Sequence, residues 1–80
     1  MEWFTPLDST CVRRAGYDVK RRELRIVYQT GRQYAYRQVP VSVFRHMQMI
    51  DRTGQSMGRF VNWVIKPIFH DCYEVVDNPS

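Results

Sequence analysis

Basic side chains gather in one part of this sequence, and they are its clearest candidates for chemistry. Residues 13 to 37 contain eight basic and two acidic residues, although the whole chain of 80 residues has a formal net charge of only +4. Most of the basic residues are arginine, whose planar fork of donors suits phosphate and carboxylate groups. We expect seven of them to line one face of a sheet and bind a polyanion: Arg13, Arg14, Lys20, Arg21, Arg22, Arg25 and Arg37. A basic surface that serves solubility alone is an equally weighted alternative.

A second candidate for anion binding is the segment that begins at Ser56. Serine is a favoured N-cap of helices, and a helix start that contains glycine exposes backbone N–H groups to anions. The residues of this predicted ligand site are Ser56, Gly58, Arg59 and Trp63. In the simpler interpretation, which we favour, Ser56 only caps the helix and Gly58 lets the helix lie against the sheet.

Histidine and cysteine side chains give no persuasive metal or nucleophile set. A structural zinc site needs about four ligands, and the spacing of Cys11, His46, His70 and Cys72 does not suggest one. A Cys–His nucleophile pair has no visible orienting group or oxyanion site. We therefore expect no metal, no cofactor, no disulfide and no enzymatic activity.

A small antiparallel sheet must position the basic side chains. The alternation of apolar and polar residues predicts a three-stranded meander over residues 10–17, 23–29 and 32–39. Alternation is irregular in the first of these strands, which predicts a β-bulge there. A short edge strand is also expected over residues 72–76.

The turn between the second and third predicted strands decides which way their side chains point. A two-residue turn would force the β-branched Thr30 to positive φ, which it resists. A three-residue loop places only Gly31 in the left-handed region. The resulting register pairs Ile26 with Tyr34 and Leu24 with Tyr36, and it leaves Arg25, Gln33 and Arg37 on the outer face. We therefore predict that Tyr34 and Tyr36 are largely buried.

Two helices should cover the inner face of this sheet. Pro40 suits a first helical turn, Ser56 suits the cap of the second helix, and Pro67 should end that second helix. Their predicted buried stripes are Val43, Phe44, Met47 and Ile50 in the first helix and Phe60, Val61, Val64 and Ile65 in the second. The predicted fold is thus α+β, with an N-terminal arm at 1–8, one domain at 9–76 and a tail at 77–80.

Several of these segments together resemble one known family, the KTSC domain. The resemblance covers roughly residues 9 to 73, and it rests on Gly16-Tyr17-Asp18, on Tyr34-Ala35-Tyr36 with Val39-Pro40, and on Ser56, Gly58, Phe60, Asn62 and Ile65. The family is named for a module at the C-terminus of some lysyl-tRNA synthetases, and it includes free single-domain proteins. The chain departs from the family pattern at Arg13 and Arg14 and in the polar segment 51–54.

The resemblance implies a role in binding, and RNA binding has been suggested for the family. Combined with the basic cluster, it predicts a non-enzymatic module for RNA or another polyanion. The alternative is a module that binds a host protein or a small anionic ligand, for instance a phage or mobile-element effector that acts on a host factor. Salt distinguishes them, because polyanion binding weakens steeply with ionic strength.

The first residues and the overall hydropathy indicate the compartment. Residues 1–6 have no basic segment followed by an apolar run, so no signal peptide is expected. No stretch is long enough to span a membrane. We expect a cytoplasmic protein with two reduced thiols and no membrane partner, and the sequence leaves a homo-oligomer open.

Overall fold

The protein folds as a five-stranded antiparallel sheet with helices packed on one face. The computed structural model describes residues 1–8 and 10–76. The strands follow one another along the sheet in chain order: β1 Glu2–Phe4, β2 Val12–Asp18, β3 Glu23–Tyr28, β4 Gln33–Tyr36 and β5 Cys72–Val75. The predicted tail 77–80 and Ser9 lie outside the described residues.

The predicted α+β class is correct, but the three-stranded sheet was too small. The predicted edge strand near the C-terminus is present as β5, which pairs with β4. The predicted arm adds β1, which pairs with β2 through Trp3 and Gly16. Three residues are too few to show an alternating pattern, so this strand leaves little trace in the sequence.

The register predicted from Gly31 is confirmed. Gly31 has a φ of 94°, and the Tyr28 N–H donates to the Arg32 carbonyl at 2.8 Å across a three-residue loop. Leu24 pairs with Tyr36, and Ile26 pairs with Tyr34. Tyr36 is only 4% exposed, whereas Tyr34 is half-buried.

The predicted β-bulge is also present, and it explains why the apolar residues of β2 do not alternate. The register shifts between Val12 and Arg14, so that Arg13 is the extra residue. Val12 and Ala15 are therefore both fully buried, while Arg13 and Arg14 between them are both exposed. The bulge sets both arginines outside the core.

Helix α1, Val41–Arg52, begins after Pro40, whose extended ψ of 147° makes it the cap rather than a first-turn residue. Of its predicted stripe, Phe44 and Met47 are fully buried, and the ring of Phe44 stacks on Tyr17 at 5.4 Å. Val43 and Ile50 pack against this core at its margin. Asp51 is also buried. Its carboxylate accepts the Leu7 N–H at 2.8 Å, and this bond holds the N-terminal segment against the helix.

The second helix continues through Pro67, so the prediction that Pro67 ends it was wrong. It consists of α2 Met57–Phe60, a π-helical segment Val61–Ile65 and α3 Lys66–Ile68. The Lys66 N–H bonds to the Val61 carbonyl, five residues earlier. Proline has no N–H and its ring crowds the carbonyl four residues earlier, and a π turn is one way to relieve that conflict. Among the described residues, no helix has both the length and the apolar character to cross a bilayer.

Candidate functional site

The sheet face opposite the helices, which we call the open face, holds three of the seven predicted basic residues. Strand pairing aligns one row of residues across this face: Trp3, Gly16, Arg25, Ala35 and Tyr73. Arg14 and Arg37 lie on the same face, one at each aromatic end of the row. Val27 and Ala35 are buried beneath these side chains but do not belong to the helix-side core.

One end of the open face is a stack of Arg14 on Trp3. The Arg14 guanidinium lies 4.5 Å from the centre of the indole ring. The indole in turn lies on Gly16, where a Cβ atom would come within 2.5 Å of the ring. The absence of a side chain at Gly16 therefore allows the indole to lie against the sheet.

The other end of the open face is a network around Glu23, which is only 6% exposed. Its carboxylate accepts hydrogen bonds from Arg25 at 3.1 Å and from the Tyr73 hydroxyl at 3.0 and 3.1 Å. The Arg37 Nε lies 3.9 Å from the same carboxylate, and its guanidinium lies 4.8 Å from the centre of the Tyr73 ring. Arg25 is thus committed to Glu23, although its buried Nε has no partner among the described residues.

The other four predicted basic residues lie elsewhere on the sheet. Lys20, Arg21 and Arg22 form the β2–β3 turn, in which the Asp18 carboxylate accepts the backbone N–H groups of Lys20 and Arg21. The Arg22 carbonyl accepts the Val39 N–H at 3.0 Å, which puts this turn at the end of the sheet where β4 also ends. Arg13 is near the opposite end, where its guanidinium donates to the Gln29 carbonyl.

The second predicted site separates into a groove and a packing contact. Ser56, Arg59 and Trp63 line an open groove of about 610 Å³ together with His46. Trp63 is 76% exposed. The Ser56 hydroxyl accepts the Arg59 N–H at 3.3 Å, as expected of a cap. Gly58 is not part of the groove lining: a Cβ there would lie 3.1 Å from the Cys11 Cβ, which supports the packing interpretation.

A third cavity, which we call the tyrosine groove, was not predicted. It has a volume of about 370 Å³, lies between the helix side of the sheet and the end of the second helix, and is lined by Tyr28, Tyr34, Tyr36, Lys66, Phe69, His70 and Cys72. The Tyr28 and Tyr36 hydroxyls lie 3.3 Å apart. Burial raises the pKa of Tyr28 well above its ordinary value, and burial also raises that of Tyr36. Three tyrosines at alternating positions of paired strands were the available signal.

The four residues weighed as metal ligands are divided among different surfaces. His70 and Cys72 line the tyrosine groove, Cys11 lines the depression beside it, and His46 packs against the ring of Phe60. Both thiols are free. In residues 1–8 and 10–76, no group of three or more His, Cys, Asp or Glu side chains is arranged to hold a metal ion.

Comparison with known proteins identifies the family. The chain is 36% identical over 64 residues to a protein of Tsukamurella paurometabola, a match that covers 80% of this chain and 90% of that protein. The crystal structure of a KTSC domain protein from Yersinia pestis superposes with a TM-score of 0.75 at 28% identity, covering 92% of this chain and 99% of that one. The KTSC domain model matches residues 8–69. The chain therefore belongs to the KTSC domain family.

Proposed function

We propose that the protein is a non-enzymatic binding module whose open face takes single-stranded RNA or another polyanion. The observation that carries this proposal is the pair of arginines stacked on aromatic rings, Arg14 on Trp3 and Arg37 on Tyr73. Both arginines are exposed, and both rings are half-buried. The two cations are thus displayed at opposite ends of one row of side chains.

Stacked guanidinium groups suit a nucleic-acid strand for two reasons. The planar group can stack against a base as well as against a ring, and its N–H groups can contact phosphate oxygens. A side chain already held against a ring loses less freedom when a ligand binds. Two such groups offer contacts to successive parts of one strand.

The network around Glu23 limits how strong this binding can be. Glu23 accepts a hydrogen bond from Arg25 and lies 3.9 Å from Arg37, so part of the positive charge of this face is already neutralised. The strands offer no evident set of side chains for reading base edges, and phosphate contacts alone carry no sequence information. We therefore expect weak binding with little sequence preference. The turn of Lys20, Arg21 and Arg22 would extend the contact beyond Arg37.

The test is a fluorescence-anisotropy titration of labelled oligouridine at about 50 mM and about 200 mM salt. The double variant R14Q/R37Q removes the two stacked cations and leaves the Glu23–Arg25 pair intact. Each lost phosphate contact should flatten the slope of log affinity against log salt by about 0.7 for a single strand. The matched control is R52Q/R59Q, which removes two exposed arginines from the helices on the other side of the sheet.

Two results would count against the proposal. If the wild-type protein does not bind oligouridine at the lower salt concentration, the nucleic-acid hypothesis is ruled out. An equal loss in the helix control would show that net charge, rather than the open face, determines binding. Neutralising Arg21 and Arg22 together should weaken binding further without changing the fold.

A second candidate function is favoured by the groove at Trp63. A tryptophan that is 76% exposed beside Arg59 suits contact with a host protein or a small anionic ligand. This alternative keeps the hypothesis of a phage or mobile-element effector that acts on a host factor in the cytoplasm. Capture from lysate that depends on Trp63, survives nuclease and is insensitive to salt would favour it over the first proposal.

A further inference from the structure

We propose that the tyrosine groove is a separate binding site for a small ligand that carries an oxyanion, a phosphate or a carboxylate, on a flat apolar body. It lies on the helix side of the sheet, whereas the polyanion proposal concerns the open face. A substitution that abolishes ligand binding in the groove should therefore leave polyanion binding at the open face unchanged.

The groove presents hydroxyl protons that no acceptor among the described residues receives. Tyr28 and Tyr36 share one hydrogen bond between their hydroxyls, and a pair of phenols joined in this way retains a second hydroxyl proton. Within the part of the chain that the structure describes, the Tyr34 hydroxyl makes no hydrogen bond. Tyrosine has an ordinary pKa of 10.0, which burial raises further at Tyr28 and Tyr36, so both are neutral donors at ordinary pH.

Lys66 adds a positive charge at the rim. Its ammonium lies 5.8 Å from the centre of the Tyr28 ring. The ion pairs among the described residues involve Arg25, Arg37 and Arg45 and leave Lys66 unpaired. Glu74 neighbours Tyr34 across β4 and β5, but it does not line the groove. An anion would thus meet one unpaired cation and at least two hydroxyl donors.

The walls of the groove determine the apolar part of the ligand. The Tyr28 and Tyr34 rings meet edge to face at 5.8 Å, and Phe69 adds a third apolar surface. The volume of about 370 Å³ is at the small end of the range typical of small-molecule sites. A neighbouring depression shares Tyr28, Tyr34 and Lys66 with it, so a longer ligand could extend beyond the groove.

The backbone next to Lys66 supports the same conclusion. The π-helical segment Val61–Ile65 ends immediately before Lys66, and π turns inside helices are frequent at functional sites. It also adds one residue to the turn, which changes the direction in which the residues after it point. The site thus combines a cation, free donors, apolar walls and an unusual helical turn.

The experiment is an NMR titration of isotope-labelled protein with phenyl phosphate, benzoate and the neutral control benzyl alcohol. We expect saturable shifts at the amides of Tyr34, Lys66 and Cys72 with at least one anion, and the tighter anion identifies the head group. K66Q should weaken that binding about tenfold, and Y34F by a smaller factor. The matched control is K20Q at the other lysine of the chain, which should leave the affinity within about twofold because exposed distant charges are screened.

Three outcomes would overturn the proposal. The first is the absence of saturable shifts with either anion up to about 10 mM. A dissociation constant above that concentration would be too weak for useful recognition. The second is binding of benzyl alcohol as tight as that of the anions. The third is full affinity in both K66Q and Y34F, each checked by its thermal melt to be folded. None of these outcomes bears on oligouridine binding at the open face.

Discussion

The two faces of the sheet are stabilised in different ways, although they are built from alternate residues of the same strands. On the helix side, apolar side chains such as Leu24, Ile26 and Phe44 are fully buried against one another. On the open face, the buried Glu23 is held by polar contacts with Arg25, Arg37 and Tyr73. The apolar face derives its stability from close packing. The polar face depends on specific bonds, and it keeps Arg14 and Arg37 accessible.

The largest test of this comparison is Tyr36→Ala on the helix side. Tyr36 is almost completely buried, and truncating a large buried aromatic residue costs about 3 kcal/mol or more. The free energy of unfolding from urea denaturation is the measurement. Tyr34→Ala should cost clearly less, because Tyr34 is half-buried. Equal costs would mean that burial does not separate these two positions.

Glu23→Gln tests the polar network of the open face. The change removes the negative charge that holds Arg25 and one of the two carboxylate oxygens that accept from the Tyr73 hydroxyl. We expect a loss of about 2 kcal/mol in the free energy of unfolding, because Arg25 loses a charge-assisted bond while largely buried. The matched control is Glu74→Gln on β5, an exposed position at which the change should stay within about 0.5 kcal/mol. Similar effects of the two changes would show that the network contributes little.

Gly16→Ala tests the packing of the Trp3 indole against the sheet. The added Cβ would meet the indole at 2.5 Å, and crowding of this kind costs about 1–2 kcal/mol. Trp3 fluorescence, recorded in a Trp63→Phe background, should report a more exposed indole. The same substitution in a Trp3→Ala background should be nearly neutral, because the three atoms nearest to the added Cβ all belong to Trp3. An undiminished cost in that background would place the strain elsewhere.

The smallest expected effect concerns alkaline pH. The ordinary pKa of tyrosine is 10.0, and the folded protein raises that of Tyr28, mainly by burial. The unfolded chain therefore releases this proton first, so the stability that is present below pH 10 is lost as the pH rises above it. Tyr28→Phe should make the decline shallower, as measured by urea denaturation at increasing pH. A decline as steep as in the wild-type protein would show that Tyr28 does not drive it.

Local rules were sufficient for much of the fold. Positive φ at Gly31 fixed the hairpin register, and the apolar spacing from Val43 to Ile50 identified α1. The same rules failed where the structure depends on distant contacts. Strand β1 is defined by the contact of Trp3 with Gly16. The π-helical segment lies just before Pro67, in a helix that continues although proline usually ends one. The sequence alone did not predict that continuation.

The candidate sites were harder to predict than the fold. Alternation correctly placed Arg25 and Arg37 outside the core, but it could not show that Glu23 already neutralises part of their charge. Arg13 and Lys20 lie near opposite ends of the strands, away from the row between Trp3 and Tyr73, which a list of basic residues cannot reveal. The tyrosine groove was missed because Lys66 and Tyr28 meet only in the folded chain.

Strand β5 has a consequence for the order of folding. It pairs with β4 only after the chain has passed through both helices, and closing such a long loop costs more chain entropy than closing a hairpin. Pairings of this kind form slowly, so we expect β5 to join the sheet last and to open first in hydrogen exchange. Tyr73 of the open face and Cys72 of the tyrosine groove both lie on this strand. A nascent or partly opened chain would therefore lack part of each binding surface at once.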